Sequence, residues 1–192
     1  MTSQLLEPSQ PTRLVYGNIN IGTWNVRTLN ACGKVNELEH ELKRYQWDII
    51  GLAEMRWTGF GETTSEDGHK IWYSGDETRH QYGVGFIVRK EITGYIMSCT
   101  PVSSRIITIR VSAKPQNVTI IQVYAPTSDH EDQEVEELYE KIESIIQKTS
   151  RKDLLIIQGD FNAKIGEDAY ENWAGTSAGL EQEKQMTGAF AC

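Results

Sequence analysis

Asp153-Leu154-Leu155-Ile156-Ile157-Gln158-Gly159-Asp160-Phe161-Asn162 is the stretch whose reading decides the fold. Leu154 to Ile157 form a short continuous apolar run, the pattern of a strand buried on both faces. Gly159 then lets the backbone turn, and Asp160 and Asn162 follow at the strand's C-terminal edge. Two residues apart in extended chain, their side chains project to the same side. Three other predicted strands end the same way. Asn18–Asn25 alternates apolar and polar residues and closes on Trp24-Asn25. The buried run Asp48–Ala53 is followed by Glu54, and Val118–Val123 by Tyr124, with Pro126 stopping the strand soon after.

Between these strands the periodicity changes. Val35, Leu38, Leu42 and Tyr45 fall at helical spacing, which predicts an amphipathic helix over 34–45. A second helix is expected over 129–148, where Val135, Leu138, Tyr139, Ile142, Ile145 and Ile146 make one stripe and acids crowd the first turns. Residues 56–68, rich in Gly, Thr and acids, read as a loop. Short strands are expected at 70–74, 84–89, 94–99 and 105–111. Alternating strands and helices around a meander of antiparallel strands make an α/β protein. One core, from about residue 18 to 170, accounts for the pattern. Residues 1–17, with Pro8 and Pro11, read as a mobile arm, and from about 174 to 192 the pattern dissolves into a divergent tail.

The chain has 192 residues and a net charge of −8. Eight acids and one lysine between Asp129 and Gln147 carry −7 of this, leaving the rest near neutral. Most of the acidity therefore belongs to one solvated helix face. No run approaches the roughly 18 apolar residues of a membrane span, and residues 1–10 lack the basic start and apolar core of a signal peptide. Three distant cysteines imply neither a disulfide framework nor a zinc site. An intracellular location follows as the expectation, nuclear if the substrate is DNA.

Asn25, Glu54, Tyr124, Asp160 and Asn162 all sit at C-terminal ends of predicted strands, the edge where α/β sheets bind ligands. Two carboxylates, two carboxamides and a phenol suit one chemistry. A hard cation such as Mg²⁺ takes oxygen ligands, commonly one or two carboxylates, and keeps waters for itself and a substrate phosphate. Amide and phenol donors hold phosphate oxygens, and a second carboxylate orients or deprotonates a water. Metal-assisted phosphodiester hydrolysis is the reaction class implied. The competing reading is ordinary turn chemistry at each strand end.

Gly22-Thr23-Trp24-Asn25, Leu52-Ala53-Glu54, Val123-Tyr124-Ala125-Pro126 and Gly159-Asp160-Phe161-Asn162 resemble, in order and spacing, the motifs of the endonuclease/exonuclease/phosphatase superfamily. Asn25-Val26-Arg27-Thr28-Leu29, Met55-Arg56-Trp57-Thr58-Gly59 and Asn162-Ala163-Lys164 are similar to endonuclease domains of RTE-type non-LTR retrotransposons and to the craniofacial development protein 2-like group. The resemblance covers residues 18–173. It implies a β-sandwich flanked by helices, with Mg²⁺ or Mn²⁺ bound chiefly by Glu54 and Asn25 close to the ion. It also implies that Tyr124 contacts the scissile phosphate, Asp160 activates the water and Asn162 fixes the phosphate. DNA is the partner this implies, and Arg56 is within reach of it, whereas Trp57 is expected to be buried.

The family pattern continues with a late Asp and a Ser-Asp-His segment. The histidines of this chain are His40, His69, His80 and His130, none after Asp160, and Asp168 lies too close to Asp160 to stand for the late acids. The expectation is a C-terminally truncated domain that lacks its last strands and the downstream reverse transcriptase region, with little activity. Two alternatives stay open. One is a phosphatase or RNA nuclease of the same superfamily. The other is a domesticated, non-enzymatic binding protein docking through the acidic helix.

Overall fold

Continuous apolar runs need cover on both faces, and in this chain those of the inner strands are roofed by a helix on one side and a second sheet on the other. The structure is a computed structural model that describes residues 14–15, 19–127 and 132–162. The tail assigned to 174–192, and Asp168, lie outside the described residues. In chain order the elements are β1 (Leu14–Val15), β2 (Ile21–Asn25), α1 (Lys34–Leu42), β3 (Ile49–Ala53), β4 (Phe60–Thr64), β5 (Lys70–Ser74) and β6 (Val84–Val88). A 3₁₀ turn (Lys90–Tyr95) leads to β7 (Ile96–Ser103), β8 (Ile106–Val111), β9 (Ala113–Lys114), β10 (Val118–Tyr124), α2 (Asp132–Lys148) and β11 (Leu154–Asp160).

Two mixed sheets carry the architecture. One has the order β2-β3-β6-β5-β4 and the other β11-β10-β8-β7. Their facing sides share one core, with Ile49, Val84 and Phe86 from the first sheet against Ile107, Ile109, Val118 and Ile120 from the second. Leu38 and Leu42 of α1 cover the outer face of the five-stranded sheet at Ile50, Leu52, Ile71 and Ile87. Leu138 and Ile142 of α2 cover the other outer face at Ile106, Ile121 and Val123. The result is a four-layered sandwich, helix on sheet on sheet on helix, as the family resemblance implies. Strands β3, β6 and β10 are buried along their whole length because they lie inside their sheets beneath a helix.

Several expectations need correcting. Strand β11 is not buried on both faces: it is the edge of its sheet, and Leu154 and Ile157 remain 40% and 38% exposed. Its apolar run reflects one packed face and a neighbour on one side only. Gly159 does not turn the chain. It stays in the ladder opposite Val123 at φ +140°, and a side chain there would run into the Val123 carbonyl. The glycine is required for close approach of β10, and the turn follows Asp160. The loop expected over 56–68 contains β4, a largely exposed edge strand of Phe-Gly-Glu-Thr-Thr. Without a buried face it carries no apolar alternation, and backbone pairing to β5 defines it. Helix α1 ends at Leu42, earlier than its stripe implied. Within the segment read as an arm, Leu14–Val15 pairs in parallel with Ala113–Lys114, and Leu14 packs on the inter-sheet core.

Asp153, at the entry to β11, locks that edge strand to its sheet. Its side chain is 2% exposed and receives Arg110 Nε at 2.7 Å and Nη2 at 3.0 Å, with the Thr119 hydroxyl at 2.9 Å. These bonds, the guanidinium first, hold its carboxyl below the usual aspartate range. The native state thus gives up this proton more readily than the unfolded chain. The stabilisation is complete above about pH 4 and drains away as the pH falls further. Asp153→Ala leaves the guanidinium with only solvent on that side, and we expect a loss of about 2–3 kcal/mol at pH 7. The gap between variant and wild type should narrow in urea melts as the pH is lowered through and below the range of a free aspartate; a gap that stays constant in acid would assign the effect to packing instead.

Candidate active site

Both sheets end their parallel pairs on the same rim. In the first, β2 and β3 run in register with Asn25 opposite Ala53, so Glu54 emerges one residue beyond. In the second, β10 and β11 run in register with Tyr124 directly opposite Asp160. The gap between the sheets is closed by one side chain. Asn25 Nδ2 donates to Glu54 Oε1 at 2.8 Å and to Asp160 Oδ2 at 2.8 Å. Its carbonyl Oδ1 accepts the Arg27 backbone N–H at 3.0 Å, which fixes the amide's orientation. Two carboxylates from different sheets therefore lie against a single nitrogen.

Tyr124 joins the same cluster. Its phenol hydrogen-bonds the Glu54 carboxylate, and its acidity is suppressed, first by burial and then by the Glu54 charge and that hydrogen bond. The Arg105 charge opposes the shift and Asp160 adds to it. The outcome is a phenol that stays protonated well into alkaline solution and acts as a donor. Asn162 lies beside the cluster: its backbone N–H donates to Asp160 Oδ1 at 3.0 Å, and its Nδ2 to the Ala125 carbonyl at 2.7 Å. In this arrangement the Asn162 amide braces the β10 end, while its main chain orients Asp160.

The rim backbone is held in unusual conformations. Glu54, Arg56 and Asn162 have φ of 57°, 57° and 47°, a left-handed region that costs a side-chain-bearing residue on the order of 1 kcal/mol. Neighbouring loops enforce it. Val26 N–H bonds the Ala53 carbonyl, Met55 N–H the Gly83 carbonyl and Arg56 N–H the Tyr82 carbonyl. The loops knitted in this way carry Arg27, Arg56 and Arg79, all exposed. Arg56 Nη2 reaches Glu54 Oε2 at 3.4 Å. Trp57 is half-buried: its Nε1 donates to the Leu29 carbonyl at 2.9 Å, and its ring meets Tyr73 edge-on at 4.9 Å. It forms a wall of an open cavity of about 230 Å³ with Asn30, Thr58, Tyr73 and His80.

Arg105 is a site neighbour that the strand-end reading overlooks. Its guanidinium lies 3.8 Å from the Tyr82 ring centre and 5.5 Å from that of Tyr124, and it donates to the Tyr124 carbonyl and to Glu134 of α2, each at 3.4 Å. The signal was its place at the start of the strand over 105–111. In an antiparallel pair that start meets the end of the strand that finishes at Tyr124.

A second group of potential ligands, Glu39 of α1 with Asp67 and His69, lies within 4.8 Å of one another. Each already has a partner. Glu39 accepts the Ser65 hydroxyl, Asp67 pairs with Lys43 at 2.9 Å, and His69 Nδ1 accepts the Lys90 N–H at 3.2 Å. A neutral imidazole with Nδ1 accepting carries its proton on Nε2, so no lone pair is left for an ion. Burial lowers the proton affinity of His69 further, against the pull of Glu39 and Asp67. As hydrogen-bonded here the imidazole offers the group no ligand, while both carboxylates keep free lone pairs.

Comparison with known proteins places the fold. The model of the endonuclease/exonuclease/phosphatase family matches residues 22–188. Craniofacial development protein 2 of Bos taurus is 43% identical over 146 residues, 76% of this chain and 24% of that protein. The chain thus spans about a quarter of the length of this curated relative. Among solved structures, D. rerio TDP2 complexed with a single-strand DNA product superposes with a TM-score of 0.55 at 17% identity, over 84% of this chain and 66% of that one. The endonuclease domain of TRAS1, a telomere-specific non-LTR retrotransposon, gives 0.52 at 18% identity, over 86% and 66%.

Proposed function

This chain belongs to the endonuclease/exonuclease/phosphatase family, and on that footing we propose that its site is built for Mg²⁺-assisted hydrolysis of phosphodiester bonds in DNA. The observation that carries this is the meeting of Glu54 and Asp160, from different sheets, at the one amide of Asn25. Such a set of oxygen donors fits a hard divalent ion, Mg²⁺ or Mn²⁺. Glu54 would hold it, and Asn25, whose Nδ2 lies between the two carboxylates, would turn its amide to present Oδ1. When bound, the ion supplies positive charge to a phosphate oxygen and lowers the pKa of a water.

The remaining steps belong to the chain's own groups. Asp160, oriented by the Asn162 N–H, takes the proton of the attacking water. Tyr124, kept protonated, donates to a non-bridging phosphate oxygen as charge develops there. Asn162 secures the same oxygen once its amide turns from Ala125. Exposed Arg27, Arg56 and Arg79 around the rim favour a polyanionic backbone over a small phosphomonoester or a phospholipid headgroup. The DNA in the TDP2 complex and the retrotransposon origin of the TRAS1 domain lean the same way. Docking through the acidic helix is less favoured, because Glu134 is engaged by Arg105.

His80, the histidine beside the rim, has its Nδ1 engaged with the Arg56 carbonyl at 3.0 Å. A supercoiled-plasmid assay in Mg²⁺ or Mn²⁺, with RNA and p-nitrophenyl phosphate beside it, tests the reading. The expected result is salt-dependent DNA retention with nicking that Asp160→Ala abolishes. Hydrolysis of the monoester alone, or nicking indifferent to Asp160→Ala, overturns it.

A further inference from the structure

Beneath the rim lies a second layer of polar side chains, two residues upstream of the first on the same strand faces. Thr23 stands below Asn25, Gln122 below Tyr124 and Gln158 below Asp160. Gln122 is the one polar residue with no exposure at all among the described core positions, flanked in its strand by Ile121 and Val123. Its Nε2 donates to the Thr23 hydroxyl at 3.0 Å, which crosses from β10 to β2. Gln158 Nε2 donates to the Gly22 carbonyl at 3.0 Å, which crosses from β11 to β2. Both amides lie over Gly51 of β3, where any side chain would run into them. No buried side-chain polar atom in the described structure lacks a partner.

Apolar contacts between two sheets packed face to face have no direction and tolerate sliding by a fraction of a side chain. Near the rim the directional links are this layer and the Asn25–Asp160 bond, with the Ser74 hydroxyl donating to the Ser103 carbonyl at 2.8 Å elsewhere in the sandwich. Glu54 and Asp160 belong to different sheets. A slide along the strands therefore changes their separation directly, and with it the bite offered to an ion. Directional hydrogen bonds between the sheets resist that slide, and a fully partnered amide keeps its burial cost small. We propose that the Thr23–Gln122–Gln158 layer is a registry pin: these are positioning residues that set the spacing of Glu54 and Asp160 through Asn25. The proposal rests on the metal site argued above.

Thr23 is exposed at the sheet edge, so its isosteric replacement adds no bulk to the core, although it leaves the buried Gln122 amide without this partner. In Thr23→Val the cross-sheet bond is lost, and Mn²⁺ affinity, read by electron paramagnetic resonance well below the melting temperature, should fall about 10-fold, the scale of lost outer-shell support. Thr23→Ser keeps the hydroxyl and should bind as wild type does. A metal-free readout runs in parallel: the side-chain NH₂ signals of Asn25 in ¹⁵N-correlated spectra should move toward the free-amide position in Thr23→Val and hold in Thr23→Ser. If wild type binds no Mn²⁺, the metal reading falls and the Asn25 signals still decide the pin. If Thr23→Val lowers only the melting temperature, leaving both Mn²⁺ affinity and the Asn25 signals unchanged, the layer is merely structural and the proposal is wrong.

Discussion

Glu54→Gln should reduce Mn²⁺ affinity by at least about 100-fold, beyond the 10- to 100-fold that outer-shell losses cost. The substitution keeps size and hydrogen-bonding shape but removes the charge that a hard cation selects. It also changes the partners: a neutral amide then faces the Asn25 Nδ2 that now donates to Glu54 at 2.8 Å and the Tyr124 phenol that donates to the same carboxylate. With the Glu54 charge gone, one of the causes holding Tyr124 protonated disappears, so its ionisation should move down. An ultraviolet pH titration of tyrosinate reads this independently of metal. Unchanged Mn²⁺ affinity in Glu54→Gln would move the ion elsewhere, with the cluster at Glu39, Asp67 and His69 as the next candidate once its present partners are displaced.

Gly159→Ala is the substitution expected to cost most in stability, about 3–5 kcal/mol. The added methyl meets the Val123 backbone, which a rotamer change cannot relieve, and the φ of +140° is one that an L side chain rarely adopts. Strand β11 would have to leave β10 or shift along it, and Asp160 would go with it. The expected observation is a melting temperature lower by roughly 10 °C, together with loss of Mn²⁺ binding in the fraction still folded. A variant that melts like wild type would mean that β11 adjusts at little cost, and would weaken the account of the rim as a fixed constellation.

Asn25, Glu54, Tyr124 and Asp160 were legible because each closes a run whose period marks a strand, and strand ends are where such sheets work. The pairing that joins them was less legible. Nothing in the letters says that β2 lies parallel to β3 or that β10 lies parallel to β11, since the partners are set by what covers their faces. Strand β4 escaped notice because a polar edge strand has no buried side to pattern. The apolar run of β11 read as a central strand because periodicity reports the hydrophobicity of a segment and not how many neighbours it has. Gln122 was in plain view, one amide in an apolar strand, but its meaning depends on Thr23, 99 residues away in sequence. Arg105 likewise gains its role only when the end of β10 is laid beside the start of β8.

The parallel pairs repeat one topology. Strand β2 crosses through α1 to β3, and β10 crosses through α2 to β11. Each unit supplies one carboxylate and one neutral donor, Glu54 with Asn25 and Asp160 with Tyr124. The candidate site thus lies at the junction of two like units with no matching letters. The segment that separates them in sequence supplies β6 and β8 to the shared core, whereas β4 is a largely exposed edge strand, and there the chain can be lengthened or redecorated while the two units continue to present the same four groups.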